Sequence, residues 1–439
     1  MSDVVALLAY LALPLIGIAV WRFDEVRALA LDGRIAVAGV AGALITAMVM
    51  SALTLVHVGW SRTVLGSALA LIVVLSFGGA SPTAPQFVRE RSRAVIWIVV
   101  IFAIATYALL DARETIGDLL FFWGPKGIHF FRAGKIDVDF LRNPDHFLQH
   151  RDYPPMLPLL FAWSHTWTSQ FSWIAALLLT GLCLAAITAM IRTFARDNYA
   201  ALVAAVVLAF CFARGWMGGG ADPLLALFET LAVCALVFVR EPRAQITLAA
   251  IGIAGAAVTK LEGASFAVAV LLALILDRVP WRRIVVVMLP ALVLLGGWLT
   301  FIVRAELLDT YRGPGAFSFQ FFSGVIAETF RQASYDAYWI PWIAPLLMVL
   351  FGNIRRARLP LMIAALSLGA VLFFYMKSPS DPTVFWIPSS AHRVLLTPVL
   401  MLLIASGAAG GAADTKSAAP IKPLLKSIFR GRSQTRSYP

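Results

Sequence analysis

The sequence predicts an all-α protein, a polytopic transmembrane bundle of about 13 helices. Of the 439 residues, 60% are hydrophobic and only 14% are charged, whereas about 25% of the residues of a soluble domain are charged. Apolar runs of roughly the 17–25 residues that a helix needs to cross a bilayer recur along the chain. These runs lack the two-residue alternation of β-barrel strands, so helices are expected to form the spans.

The spans are predicted wherever an apolar run is long enough and is bounded by charged or helix-breaking residues. In chain order they lie near 4–21, 35–58, 64–80, 94–110, 170–191, 199–213, 223–239, 245–258, 264–277, 284–303, 340–352, 361–376 and 394–410.

The net charge of +12 comes mainly from short loops between these runs and from the tail, as the positive-inside rule predicts. No basic face with stacking aromatic residues is present, so no nucleic-acid partner is expected. Placing the basic loops in the cytoplasm puts the N-terminus outside and the C-terminus inside. We therefore expect a multi-pass protein of a bacterial inner membrane, with its active face outside the cytoplasm.

The chain divides into accessory transmembrane helices at 1–93, a core at 94–410 and a basic cytoplasmic tail at 411–439. The tail is rich in Ala, Ser, Lys and Arg, which predicts disorder and contact with anionic membrane lipids. Amphipathic helices are expected in three outer loops, at 111–169, 304–339 and 377–393.

The first outer loop combines many charged and aromatic residues. This composition predicts a structure at the membrane surface, with Trp123 and its Phe neighbours in the interface. Asp118 follows the fourth predicted helix and is either a general base with a pKa raised by partial desolvation or a solvated or capping acid. Asp152 precedes a Pro pair and has a plain turn as its alternative. Asp137 and Asp139 are interpreted as a turn pair rather than a nucleotide-sugar motif.

No metal site is predicted. His129, His146, His150 and His165 lie close together in the sequence, but no H-E-x-x-H pattern accompanies them, so surface or interfacial positions are expected. The three cysteines fall inside apolar runs and are expected to be buried free thiols, at positions 183, 211 and 234.

Asp222 opens a helix after three glycines and is either functional or an N-cap. Glu229 lies seven residues further on the same helix face, at a depth where ionisable groups are often functional. Lys260 and Glu262 form a tight external turn, in which the lysine could bind a lipid phosphate or simply pair with the glutamate. Arg393 starts the last helix and could either fork onto a phosphate or snorkel.

Five motifs, taken in order, resemble those of the GT-C membrane glycosyltransferases, among them the protein O-mannosyltransferase and lipid A aminoarabinose-transferase branch. The resemblance covers roughly 94–410. The motifs are Gly117-Asp118-Leu119 through Lys126-Gly127, Asp152-Tyr153-Pro154-Pro155, Ala221-Asp222-Pro223, Thr259-Lys260-Leu261-Glu262-Gly263, and the helix of Arg393.

The resemblance implies a polyprenyl-phosphate-linked sugar donor, a glycan, lipid or protein acceptor, and an inverting transfer. Asp118 would be the catalytic base, and Asp152 would orient the sugar or the acceptor. Lys260 and Arg393 would hold the lipid phosphate. Further substrate contacts would come from the other residues of the motifs, namely Trp123, Lys126, Asp222 and Glu262. A divalent metal is compatible with the class, although no set of ligands in this sequence requires one.

Two features depart from the family pattern. Many members have a second acid beside the first, whereas Leu119 follows Asp118 here, and the helices at 1–80 precede the usual start of the core. Two other functions stay open at the level of sequence. A transporter or lipid flippase would place polar residues at mid-membrane, and a non-catalytic scaffold would use the outer loops for docking.

Overall fold

The computed structural model describes residues 2–77, 97, 100, 117–143, 145, 150–212, 217–308, 320–335, 339–377, 382–384 and 386–410. Within these ranges the regular structure is entirely helical. The α-helices are α1 Ser2–Leu11, α2 Leu13–Ile16, α3 Asp24–Arg27, α4 Leu31–Leu55, α5 Arg62–Phe77, α6 Gly124–Ala133, α7 Val138–Arg142, α8 Met156–Thr168, α9 Trp173–Ala195, α10 Asn198–Phe212, α11 Asp222–Phe238, α12 Pro242–Ala257, α13 Leu261–Leu276, α14 Trp281–Arg304, α15 Phe322–Tyr335, α16 Ile340–Phe351, α17 Arg358–Met376, α18 Trp386–Val394 and α19 Leu396–Gly410. A 3₁₀ helix occupies Ile18–Arg22, and a π-helix occupies Leu119–Trp123.

Among the residues that the structure describes, six helical segments are long and apolar enough to cross a membrane, which supports the predicted all-helical membrane class. They are Ser2–Arg22, Leu31–Leu55, Trp173–Ala195, Trp281–Arg304, Arg358–Met376 and Trp386–Gly410. Most of the other predicted spans correspond to shorter apolar helices, such as α10, α13 and α16. The count of about 13 spans is therefore not confirmed. The predicted span at 94–110 lies almost entirely outside the described residues.

Prolines interrupt two of these segments. Ser2–Arg22 is split into α1, α2 and the 3₁₀ helix, with Pro14 in the first turn of α2. Trp386–Gly410 consists of α18 and α19, which are separated at Leu395. Pro398 explains the second break, because proline has no N–H to donate to the carbonyl group of Val394.

The outer loop predicted at 111–169 contains a helix that the sequence interpretation did not place. All residues of α8 from Met156 to Thr166 are buried, and the helix packs against α1, α4 and α6. Trp163 Nε1 donates to the backbone oxygen of Ala9 at 3.1 Å, and the hydroxyls of Ser164 and Tyr10 lie 3.0 Å apart. This part of the segment is thus interior packing rather than surface, and it joins the N-terminal helices to the core.

The segment at 304–339, predicted as the second outer loop, contains the amphipathic helix that was expected there. In α15, Phe322, Ile326 and Phe330 are exposed, whereas Val325 and Thr329 are buried. The exposed apolar side recurs every four residues, the spacing of one helix face.

Helix α11 occupies the middle of the bundle, where it packs against α9, α12 and α19. Nearly all of its side chains are buried. Two of its acids make contacts outside the helix: Asp222 contacts Lys260, just before α13, and Glu229 contacts Thr397, at the start of α19.

Candidate functional site

Five charged side chains from four separate segments meet at one end of the bundle. We call them the charged cluster: Asp118, Asp222, Lys260, Glu262 and Arg393. Direct ion pairs connect them in two groups, and longer-range electrostatic interactions connect the groups. All five were candidate site residues from sequence alone.

The first group surrounds Lys260, which is 4% exposed. Its Nζ lies 2.8 Å from Asp222 Oδ1 and 3.2 Å from Glu262 Oε1. Burial alone lowers the pKa of Lys260, but the two carboxylates more than compensate and raise its pKa above the ordinary value. The predicted Lys260–Glu262 pair is present, and Asp222 joins it.

Asp222 is not an N-cap, because Ala221 holds the cap position and Asp222 is the first residue of α11. The chain reaches this point through a turn at Gly219, whose φ of +67° favours glycine. The N–H of Gly219 donates to Thr180 Oγ1 at 2.9 Å, which attaches the turn to α9. The Asp222 carboxylate is thereby left available to Lys260.

Lys260 is held by an equally tight connection between α12 and α13. A Cβ atom at Gly263 would lie 1.8 Å from the backbone oxygen of Ala256, so no other residue fits there without movement of the backbone. Thr259 Oγ1 donates to the backbone oxygen of Gly255 at 2.7 Å and fixes the end of α12. These contacts direct Lys260 toward α11.

The second group is the ion pair between Arg393 Nη1 and Asp118 Oδ2. Asp118 is only 5% exposed, so it is not the solvated acid that was one of its interpretations. Burial raises the pKa of Asp118, and the Arg393 guanidinium and the Lys260 ammonium oppose that rise. Arg393 pairs inside the protein and therefore does not snorkel.

Trp123 is the last residue of the π-helix that follows Asp118, and Lys126 lies in the first turn of α6. Trp123 is 3% exposed and contacts the Tyr153 ring edge-on at 5.7 Å, so its expected place in the membrane interface is wrong. Lys126 Nζ lies 5.2 Å from the centre of the Trp123 ring and donates to the backbone oxygen of His150 at 2.8 Å. Phe121, in contrast, is exposed and fits the interfacial prediction.

Asp152 is buried at the edge of this aromatic group. Its backbone oxygen accepts a hydrogen bond from Trp298 Nε1 at 2.9 Å. The neighbouring residue, Tyr153, interacts electrostatically with both Lys260 and Arg393. Tyr153 therefore links the Trp123 ring to the two cations of the charged cluster.

The remaining polar candidates have structural roles. Asp137 caps α7 by accepting a hydrogen bond from the N–H of Phe140 at 3.0 Å, as the turn interpretation of the D-x-D sequence expects. His129 stacks on Phe140 at 3.8 Å. His165 is buried rather than superficial, and burial, with a smaller effect of Arg132, lowers its pKa to about 4. His146 lies outside the described residues.

Two polar pairs were not predicted. Glu229, fully buried, accepts a hydrogen bond from Thr397 Oγ1 at 2.9 Å. The hydroxyls of Tyr375 and Ser390 lie 2.9 Å apart beside the cluster. The seven-residue spacing of Asp222 and Glu229 identified the acid, but nothing in the sequence identified its partner.

Some polar atoms of the charged cluster are not hydrogen-bonded within the described part of the chain. Asp222 Oδ2, Glu262 Oε2 and Arg393 Nε are buried and have no hydrogen-bond partner in the part of the chain that the structure describes. Buried polar atoms are normally paired, so these atoms indicate a place where a polar ligand can bind. Within the same ranges, no group of three His, Cys, Asp or Glu residues is arranged to hold a metal ion.

The geometry can therefore do two things: hold an anionic group between two cations, and abstract a proton through a buried carboxylate. Comparison with known proteins adds no relative to this description. No protein-family model, no curated protein and no solved structure matches the chain.

Proposed function

We propose that this chain is an inverting membrane glycosyltransferase of the GT-C type, which transfers a sugar from a polyprenyl-phosphate donor. The observation that supports the proposal is the buried pair of Asp118 and Arg393 beside Lys260. It combines a base of raised pKa with two cations, and the motifs that contribute these residues resemble those of the family. The acceptor would be a glycan, lipid or protein with a free hydroxyl.

In this mechanism Asp118 takes the proton from the acceptor hydroxyl. The oxygen attacks the anomeric carbon with inversion, and the bond from that carbon to the phosphate oxygen breaks. The electron pair leaves on the polyprenyl phosphate, where Arg393 and Lys260 stabilise the developing charge. A carboxylate whose pKa lies above the ordinary value is a stronger base than a solvated one.

The charges of the cluster suggest how donor binding activates the base. Three carboxylates and two cations give a formal charge of −1, so an arriving phosphate competes with Asp118 for Arg393. Displacing Asp118 from the guanidinium removes the strongest influence that lowers its pKa and frees the carboxylate for the acceptor. A divalent cation arriving with the donor would also offset the excess charge.

Asp118→Asn tests the assignment, because it keeps size and polarity but removes the base. In membranes supplied with labelled polyprenyl-phosphate sugars, we expect transfer to fall about a hundredfold or more. Full activity of this variant would remove Asp118 from the mechanism.

The matched control is Asp139→Asn, in the same segment but outside the cluster, and its transfer rate should be close to wild type. Asp152→Asn should give an intermediate loss, because Asp152 precedes Tyr153, which interacts electrostatically with both cations of the cluster. An inactive but folded Asp139→Asn variant would mean that the D-x-D sequence has a catalytic role after all.

The proposed location is a bacterial inner membrane, with the cluster facing away from the cytoplasm. The arginine-rich loops support this orientation. Cysteine substitutions at Asp145 in the first outer loop and Thr435 in the tail should be labelled from opposite sides by an impermeant thiol reagent. Labelling of both from the same side would contradict the topology.

One observation favours a second candidate, a multi-pass transporter. Glu229 is completely buried inside α11, and buried acids at such depth occur in proton-coupled transport. A transporter would move its substrate across sealed vesicles without forming a glycosidic bond, so chemical analysis of the substrate after uptake separates the two functions.

A further inference from the structure

Helix α11 contacts Lys260 and also α19, the helix that follows the segment of Arg393. At its N-terminus, Asp222 pairs with Lys260 at 2.8 Å. Two turns further along, Glu229 accepts a hydrogen bond from Thr397 Oγ1 at 2.9 Å. Both acids are buried. A spacing of seven residues places them on the same face, about 10 Å apart along the helix axis.

Thr397 lies four residues after Arg393, on the other side of the break between α18 and α19. Pro398 cannot donate the backbone hydrogen bond that would continue one helix through this point. Two helical hydrogen bonds nevertheless meet at Leu395: its N–H donates to the backbone oxygen of Ala391 at 2.9 Å, and its backbone oxygen accepts from the N–H of Val399 at 3.2 Å. The chain therefore keeps a helical course from Arg393 to Thr397, and a contact at Thr397 also restrains Arg393.

We propose that Glu229 is a positioning residue: through Thr397 it fixes the segment that carries Arg393 to α11. The same helix holds Lys260 through Asp222, so α11 sets the distance between the two cations. The positioning role stands on geometry alone, whereas its consequence for catalysis rests on the proposed transferase function. The spacing of Lys260 and Arg393 would then match the phosphate that both receive.

The hydrogen bond from Thr397 is the contact to remove. Thr397→Val keeps the branched shape but has no hydroxyl, whereas Thr397→Ser keeps the hydroxyl and serves as the matched control. From the side of α11, Glu229→Gln retains an acceptor, and Glu229→Met has a similar length without one. We expect Thr397→Val and Glu229→Met to change the position of Arg393. We expect Thr397→Ser and Glu229→Gln to leave it close to that in the wild type.

A cross-linking experiment measures the position without requiring any activity. In full-length protein in membranes, Asp118→Cys and Arg393→Cys are introduced together and treated with a short thiol cross-linker. The protein with only its own three cysteines is the blank. Adding Thr397→Val should slow cross-linking several-fold, and adding Thr397→Ser should not. Equal rates in the Val, Ser and unmodified backgrounds would overturn the proposal.

If Thr397→Val does not fold, Glu229→Met takes its place, with Glu229→Gln as control and the same two outcomes. Steady-state kinetics without the added cysteines then test the consequence. Misplacing Arg393 should raise the donor KM several-fold and also lower kcat about tenfold to a hundredfold, because the guanidinium contacts the phosphate of the bound donor and stabilises the charge that develops on it. Loss of stability alone would lower the amount of active enzyme and leave the donor KM unchanged. Thr397→Val and Thr397→Ser would then have the same donor KM.

The two arms separate the two proposals. Slower cross-linking in the Val background, with no transfer by wild type, would refute the transferase function and retain the positioning role. Unchanged cross-linking, with active wild type, would refute the positioning role and retain the function.

Discussion

The two ends of α9 lie near two different kinds of buried ionic contact. Near its start is the charged cluster, next to the Gly219 turn that Thr180 holds. Near its end, Arg192 pairs through Nη2 with both carboxylate oxygens of Asp32. Thr180 and Arg192 are separated by about 18 Å along the helix.

The two contacts differ in how fully their carboxylates are used. Asp32 has Arg192 on both oxygens and also accepts the N–H of Gly33 at 3.0 Å. In the cluster, Asp222 and Glu262 each leave one buried oxygen without a partner among the described residues. A carboxylate whose oxygens are satisfied by the fold can only stabilise it, whereas an incompletely satisfied group of charges can exchange partners with a ligand. Among the described residues Arg192 Nε is unpaired, as Arg393 Nε is, so the two contacts differ in their carboxylates, and this difference makes the cluster the better candidate for a ligand site.

The largest expected effect is at Lys260. Lys260→Met leaves Asp222 as an unpaired buried charge, which should lower the free energy of unfolding by about 3–5 kcal/mol. Adding Asp222→Asn removes that charge and should restore much of the loss. Thermal unfolding of the single and double variants in detergent measures both effects, and a double variant no more stable than Lys260→Met would contradict the pairing.

A smaller loss is expected at the other end of α9. Asp32→Asn removes a charged hydrogen-bond acceptor from Arg192, and we expect a decrease in stability of about 1.5–3 kcal/mol. Transfer per folded molecule should not change, because this pair serves only to connect α4 with α9. A changed donor KM in this variant would show that the Asp32–Arg192 pair also affects substrate binding, which would contradict the distinction between the two contacts.

The smallest effect concerns pH. Because burial raises the pKa of Asp118 and a base must be deprotonated to act, transfer should decline on the acidic side above the pH at which an ordinary carboxyl titrates. Arg393 opposes that rise, so Arg393→Gln should move the acidic limb of the residual activity to higher pH. A pH–rate profile of both enzymes tests the sign, and a shift to lower pH would contradict it.

The helices of the fold were predictable where hydrophobic length decides the structure. Helix α9 corresponds closely to the span expected at 170–191, and α14 to that at 284–303. Helix α8 was not predicted, because its prolines and aromatic residues read as a surface loop. Its structure depends on packing against α1 and α6, which a local pattern does not contain.

The candidate site was predictable as a set of residues but not as a set of contacts. Asp222 at a helix start is equally consistent with a cap and with an ion-pair partner, and only the approach of Lys260 from α13 decides between them. The burial of Asp118 and His165 likewise results from neighbours distant in sequence. Thr397, an ordinary hydroxyl in an apolar run, had no distinguishing sequence signal.

The π-helix at Leu119–Trp123 affects how the segment after Asp118 responds to a change in its length. A wide turn of this kind contains one more residue than the α-helical turn it replaces, as a single-codon insertion would produce. Because the wide turn absorbs the extra residue, deleting one of these five codons would restore a regular helix and leave the segment after it nearly in place relative to Asp118. Lys126 would then keep its contacts with the Trp123 ring and the backbone oxygen of His150, so a sequence one residue shorter here would align with this motif only across a gap.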